Sequence, residues 1–198
     1  MKRKVMVAYD DASPAVRAVY DEGMSVMGLS AVPNWMKALG TNEHVLRATW
    51  EKFRHVVLMG KVPLLLKQLI LFVISVQEDN VYCTAAHGHA ALSLDPSLSC
   101  EDLYSLARGE AYASLPQTYQ VAIQVVTRAA LDPTGLSEPV DFEQRLRTVG
   151  FSESDIDELF AQADFGVMMN AITRIWEIPA DAEFPPPAQA LRAAAPIG

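Results

Sequence analysis

Apolar positions in this chain recur at helical spacing, and alternating stretches of period two are nearly absent. Proline and glycine divide the chain into segments of helical length. The spacing predicts helices over 13–28, 43–59, 64–78, 81–93, 116–130 and 165–177. From Leu64 to Val76 the residues are apolar almost all round, which predicts a central helix buried on every side. Pro63 and Pro116 stand where a first helical turn tolerates proline.

Several starts carry their own caps. Ser152 with Asp155 forms a capping-box signature, with Phe151 and Ile156 at the staple positions. Ile156, Leu159, Phe160, Ala163 and Val167 continue it at helical spacing. Ser99 with Asp102, flanked by Leu98 and Leu103, repeats the signature. Asp141 is placed to cap Phe142–Val149, and Gly150 to end it. Trp35, Trp50 and Trp176 read as core or subunit-contact residues. The pattern predicts an all-α, multi-helix bundle over residues 1–178. An extended Pro/Ala-rich tail over 179–198 follows, holding five of the twelve prolines.

With 198 residues, 51% of them hydrophobic, the chain has enough apolar material for one well-buried domain. Two cysteines are too few for a disulfide scaffold and fit a reducing compartment. A net charge of -8 argues against nucleic acid and anionic membrane as partners. Residues 1–80 carry ten basic against eight acidic side chains, and residues 81–198 six against sixteen, which points to two halves with complementary surfaces. Lys2-Arg3-Lys4 resembles the start of a signal, but Val5–Tyr9 is too short for its apolar part. Val62–Val76 is interrupted by Lys67 and Gln68 and falls short of the roughly 18 residues of a membrane span. The expectation is a soluble cytoplasmic protein.

Chemistry concentrates between Gln77 and His89. With Asn80 as N-cap, Cys83 occupies the third position of a new helix, where free backbone N–H groups and the helix dipole favour a thiolate. His87 lies four residues on, at the spacing that lets an imidazole take or return the thiol proton. Ala85 and Ala86 leave room for a reactant or a packed helix. The competing reading is a buried cysteine acting as a small hydrophobe. His87 and His89 point to nearly opposite helix faces, and no further ligands stand at zinc spacing, so no metal is expected. Cys100 also begins a helix and could resolve an oxidised Cys83 only within disulfide reach. His44 and His55 read as polar members of an amphipathic helix, and there is no phosphate loop and no G-x-S-x-G turn.

Leu66–Val76 and Asn80-Val81-Tyr82-Cys83-Thr84-Ala85-Ala86-His87 resemble the carboxymuconolactone decarboxylase and alkylhydroperoxidase D family, in its peroxidase-related branch. Thr148–Ile156 resembles the turn before that family's last helices, Ala161–Ile178 its closing helix, and the likeness spans roughly residues 30–180. The family pattern is a Glu on a buried helix, C-x-x-C twelve residues later, and a His four residues past the second Cys. Cys83 and His87 match the attacking Cys and the His; Asn80 stands for the resolving Cys and Gln68 for the relay Glu. The resemblance implies a one-cysteine peroxidase or oxidoreductase with an antioxidant role, in which Cys83 reduces a (hydro)peroxide with help from His87. Gln68 and Tyr82 would orient water, peroxide or His87, Asn80 would cap the helix, and an external thiol would reduce the product. It also implies a homo-oligomer (dimer, trimer or hexamer) and no organic cofactor. Two alternatives remain: a non-catalytic ligand- or partner-binding member, and a decarboxylase-like enzyme using His87 on a small carboxylated metabolite.

Overall fold

A computed structural model describes residues 4–110, 114–132 and 141–184. They form α1 (Pro14–Met27), α2 (Asn34–Leu39), α3 (Glu43–Phe53), α4 (Leu64–Gln77), α5 (Val81–Leu94), α6 (Cys100–Ala107), α7 (Gln117–Leu131), α8 (Phe142–Thr148) and α9 (Glu153–Ile175). No strand occurs among the described residues. The fold is all-α, and no helix among those residues is long and apolar enough to cross a membrane.

The caps expected from local sequence are in place. Ser99 and Ser152 close reciprocal capping boxes with Asp102 and Asp155, and Asp141 accepts from the Gln144 amide. The all-round apolar segment is the central helix, α4, packed against α5, α6, α7 and α9. Leu66, Leu69, Ile70, Phe72 and Ile74 on it are fully buried and belong to a core shared with α6, α7, α8 and the first half of α9. A second core gathers α1, α2, α3 and the last turns of α9 around Tyr20, Met36, Leu46 and Trp50. Cys83 belongs to this second core.

Three elements differ from expectation. The helix over 43–59 is α-helical only to Phe53 and widens into a π turn, Arg54–Leu58. Helix α2 is too short, between Pro33 and Gly40, to show a period. The segment at 165–177 is the second half of α9, which runs unbroken for 23 residues. Gly166 lies inside α9 because a Cβ there would stand 2.5 Å from Leu71 Cδ2 of α4. Trp35 and Trp50 are core residues, whereas Trp176 is half-buried beneath the Lys4 ammonium, 4.1 Å from its ring.

Ion pairs between the basic and acidic halves form on α9. Lys52 pairs with Asp164, and the buried Lys67 pairs with Glu158 while donating to the Met59 carbonyl. The Glu158 carboxylate also accepts from the Lys61 and Val62 amides, at 2.9 and 3.2 Å. Gly60, with φ of 100°, lets it approach: a Cβ there would fall 2.1 Å from a carboxylate oxygen. The extended tail was expected over 179–198; 179–184 fold back over α2 and α5, and 185–198 lie outside the described residues.

Candidate active site

Helix α5 starts where the chain reverses after α4. The turn passes through Asp79, whose φ is 52°, and Asn80 caps the new helix. Asn80 Oδ1 accepts from the Cys83 amide at 2.8 Å. Its Nδ2 donates to the Asn170 carbonyl at 2.9 Å and to Thr173 Oγ1 at 2.8 Å. Asn80 therefore joins α5 to α9 as well as capping.

Cys83 is 3% exposed, and its sulfur lies 3.7 Å from Thr173 Oγ1. Burial pushes its thiol up to about 12; the Thr173 hydrogen bond acts the other way, and the Glu78 carboxylate raises it further. The thiolate expected from the helix N-terminus is thus absent at rest. One backbone amide of that terminus, Cys83's own, is already held by Asn80, and loss of solvation outweighs the dipole.

Next along the same face is His87. Its Nδ1 lies 2.8 Å from Gln68 Oε1 on α4. The amide oxygen accepts, so Nδ1 carries the proton and Nε2 is left as the ring's acceptor. Burial pushes the imidazole down to about 4, although the ring keeps partial exposure toward a cavity. A glutamate at position 68 would supply a charge to hold the imidazolium, whereas Gln68 supplies only a dipole.

Cys83, His87, Gln68 and Tyr82 all line one cavity of about 490 Å³. From α5 it is walled by two adjacent stripes, Tyr82-Ala86-His89-Ser93 and Cys83-His87-Ala90-Leu94, with His87 and His89 at its two edges. Trp35, Phe53, Phe165 and Met169 supply an aromatic and apolar far wall, with ring centroids 5.9 Å apart for Trp35–Phe53 and 5.5 Å for Phe53–Phe165. No Lys, Arg, Asp or Glu is among the described lining residues. Such a chamber favours an uncharged, largely apolar molecule.

Tyr82 also ties the cavity wall to a later segment of the chain. Its hydroxyl donates to Asp181, whose other oxygen accepts from the Asn34 amide at 2.7 Å. Burial, then the Asp181 charge, lifts the Tyr82 phenol well above its ordinary value; burial also raises Asp181. Asn34 Nδ2 donates to the Pro179 carbonyl at 3.0 Å, Ser30 donates to Glu183, and the Phe184 ring lies 5.6 Å from His89. Residues 179–184 thus form a strap beside the cavity, latched at Asp181.

Cys100 is not brought near. Gln77, at the end of α4 next to the start of α5, donates to the carbonyl of Ala107 at the end of α6. Helix α6 therefore ends beside the turn into α5, and Cys100, at its start, is a full helix length back from that turn. Both thiols are free. His44 and His55 are exposed on α3 and its π turn. A second cavity of about 510 Å³, beside α6 and α7, has no cysteine or histidine among its described lining residues. No group of three or more metal-ligating side chains occurs among the described residues.

Sequence reasoning missed Thr173, Asn170 and Asp181. Asn170 and Thr173 are polar residues on the buried face of α9, which is the one signal that marked them.

No family model and no curated protein matches the sequence. Solved structures do match. One is an alkylhydroperoxidase AhpD core, an uncharacterised peroxidase-related protein from Ralstonia eutropha JMP134, at 18% identity over 92% of this chain and 94% of that one, TM-score 0.76. The chain has the alkylhydroperoxidase D-like fold. A peroxidase-related protein from Silicibacter sp. TM1040 matches at 22% identity over 93% and 95% of the two chains, TM-score 0.73. A cysteine-to-alanine variant of the debrominase Bmp8, in complex with 2,3,4-tribromopyrrole, matches at 16% identity over 96% and 95%, TM-score 0.76. Within this alkylhydroperoxidase D-like fold, α4 carries Gln68 and α5 carries Cys83 and His87.

Proposed function

We propose that the chain is a one-cysteine thiol redox enzyme that reduces a (hydro)peroxide bound in the 490 Å³ cavity. The Cys83 sulfur attacks a peroxide oxygen, an S–O bond forms and the O–O bond breaks. The sulfur gives up two electrons and becomes a sulfenic acid, while the peroxide leaves as alcohol or water. The thiol proton ends on the leaving oxygen, with His87 Nε2 as the ring acceptor that relays it. An external thiol then condenses with the sulfenic acid, releasing water, and a second equivalent frees Cys83 as a thiol.

The observation that carries this reading is that Cys83 and His87 wall the same apolar cavity. A thiol near 12 beside an imidazole near 4 stays neutral at rest, so proton transfer is expected only with substrate in place. The likeness to a debrominase places brominated aromatic rings among the compounds to try. The neutral thiol favours one second reading, a cavity that binds a small apolar ligand without turnover. A homo-oligomer is part of the proposal and is checked by light scattering.

The test is peroxide treatment, trapping of sulfenic acid and mass spectrometry. Trapping at Cys83 ahead of Cys100, abolished by Cys83→Ser and untouched by Cys100→Ser, supports redox chemistry. Oxidation of Cys83 no faster than that of Cys100 leaves ligand binding as the function.

A further inference from the structure

The side chain that meets the Cys83 sulfur is Thr173, and its hydroxyl stands at a junction. It lies 2.8 Å from the Met169 carbonyl, one turn back in α9, 2.8 Å from Asn80 Nδ2 and 3.7 Å from Cys83 Sγ. A hydroxyl has one proton and two lone pairs. The Asn80 amide nitrogen only donates, so it occupies one lone pair. The carbonyls of Met169, at 2.8 Å, and Asn170, at 3.3 Å, only accept, and the nearer one takes the proton. The remaining lone pair faces the sulfur, and the resting thiol donates to it.

That arrangement fails once the sulfur loses its proton, because two lone-pair bearers then face each other. Rotation about Cβ–Oγ1 turns the hydroxyl proton from the Met169 carbonyl to the sulfur. The carbonyl loses little, since it also accepts the Thr173 amide within the helix ladder. Asn80 meanwhile keeps the oxygen in place.

We infer that Thr173 is a rotating hydrogen-bond partner of Cys83, accepting from the thiol at rest and donating to the thiolate during reaction, with Asn80 as the positioning residue that holds it. The residue standing where the resemblance puts a resolving cysteine thus anchors the hydroxyl. No bond on Thr173 is made or broken; its proton stays on Oγ1 and only turns. Only the use of that donation in peroxide reduction rests on the proposed function; the hydrogen bonds to thiol and thiolate do not. Of the groups facing the sulfur, Glu78 at the end of α4 opposes a thiolate, and its carboxylate accepts from Asn170 Nδ2 at 2.7 Å. Tyr82 and His87, on α5 itself, are uncharged at neutral pH.

Thr173→Val keeps the shape and removes the hydroxyl, and Thr173→Ser restores it. In a Cys100→Ser background the infrared S–H stretch reports Cys83 alone. It should move to higher wavenumber in the Val variant and return in the Ser variant. Alkylation of Cys83 by iodoacetamide should slow about tenfold in Thr173→Val and stay within about threefold in Thr173→Ser. Asn80→Ser, which keeps a capping oxygen and loses the amide donor, gives a second handle should the Val variant not fold, and is expected to slow alkylation about threefold. An unmoved S–H band overturns the accepting half; alkylation as fast as in the native protein overturns the donating half. If both readouts behave and peroxide never oxidises Cys83, the redox reading fails while the Thr173 assignment stands.

Discussion

The two cysteines occupy similar places in their helices and very different places in the molecule. Each lies in the first turn of a helix behind a side-chain cap, Asn80 for Cys83 and Ser99 for Cys100. By local rules both feel the same dipole and the same free amides. Cys100 is half-buried at the start of α6, whereas Cys83 is buried among α4, α5 and α9 and lines an apolar chamber. Burial decides the difference, because a helix terminus contributes about 1 kcal/mol while removing a charge from water costs several times more. A cysteine at a helix start is therefore not an activated cysteine until its solvation is known.

Alkylation across pH sharpens this contrast most. A thiol near 12 holds on the order of a thousandfold less thiolate at neutral pH than a free cysteine near 8.5. The Cys83 rate should still be climbing through about pH 10; a plateau below that would mean the dipole outweighs burial after all.

His87 tests the enclosure by another route. Its folded value of about 4 lies below the ordinary 6.5, so between those values the unfolded chain binds the extra proton. Stability contributed by the neutral ring is present above 6.5 and lost as pH falls toward 4. The loss is roughly 2–3 kcal/mol, allowing for the ring's partial exposure. Urea unfolding across that range should show it in the native protein and not in His87→Gln; parallel curves would open the chamber to water.

Gln68→Glu should bring the chamber closer to an active thiol. A carboxylate 2.8 Å from Nδ1 would raise the imidazole by about 1–2 units, seen as a shifted ring titration by NMR. Peroxide oxidation of Cys83 should then rise while that of Cys100 does not. An unshifted titration would mean that the position-68 side chain does not reach the ring in solution.

The smallest effect belongs to the latch. Asp181→Asn weakens the hydrogen bond from Tyr82 and should cost about 1 kcal/mol of stability. A bulky maleimide should label Cys83 a few-fold faster, with Cys100 as the internal reference. Equal labelling would show that the strap does not limit access.

Much of this fold was legible because its signals are local. Capping boxes lie within four residues, the all-round apolar run of α4 declares its own burial, and the Cys83–His87 spacing is one helical turn. What escaped is long-range. Thr173 is 90 positions from Cys83, and Asp181 is 99 from Tyr82. Neither contact leaves a periodic trace, since each depends on how α9 crosses α5 and where the strap returns. The raised thiol escaped for the same reason: desolvation is contributed by every helix around it. The π turn after Phe53 has no marker either, because the wider turn uses ordinary helix-forming residues.

One consequence lies in the order of events at the cavity. The Cys83 sulfur opens onto the apolar chamber, and Cys100 is not among that chamber's described lining residues. Under the proposed thiol redox chemistry, oxidant and reductant would visit the same space in turn, and the first product would depart before the second reactant arrives. Steady-state kinetics would then follow a ping-pong pattern, with parallel double-reciprocal lines. Each reactant in excess would inhibit the other by occupying the wrong form of the protein.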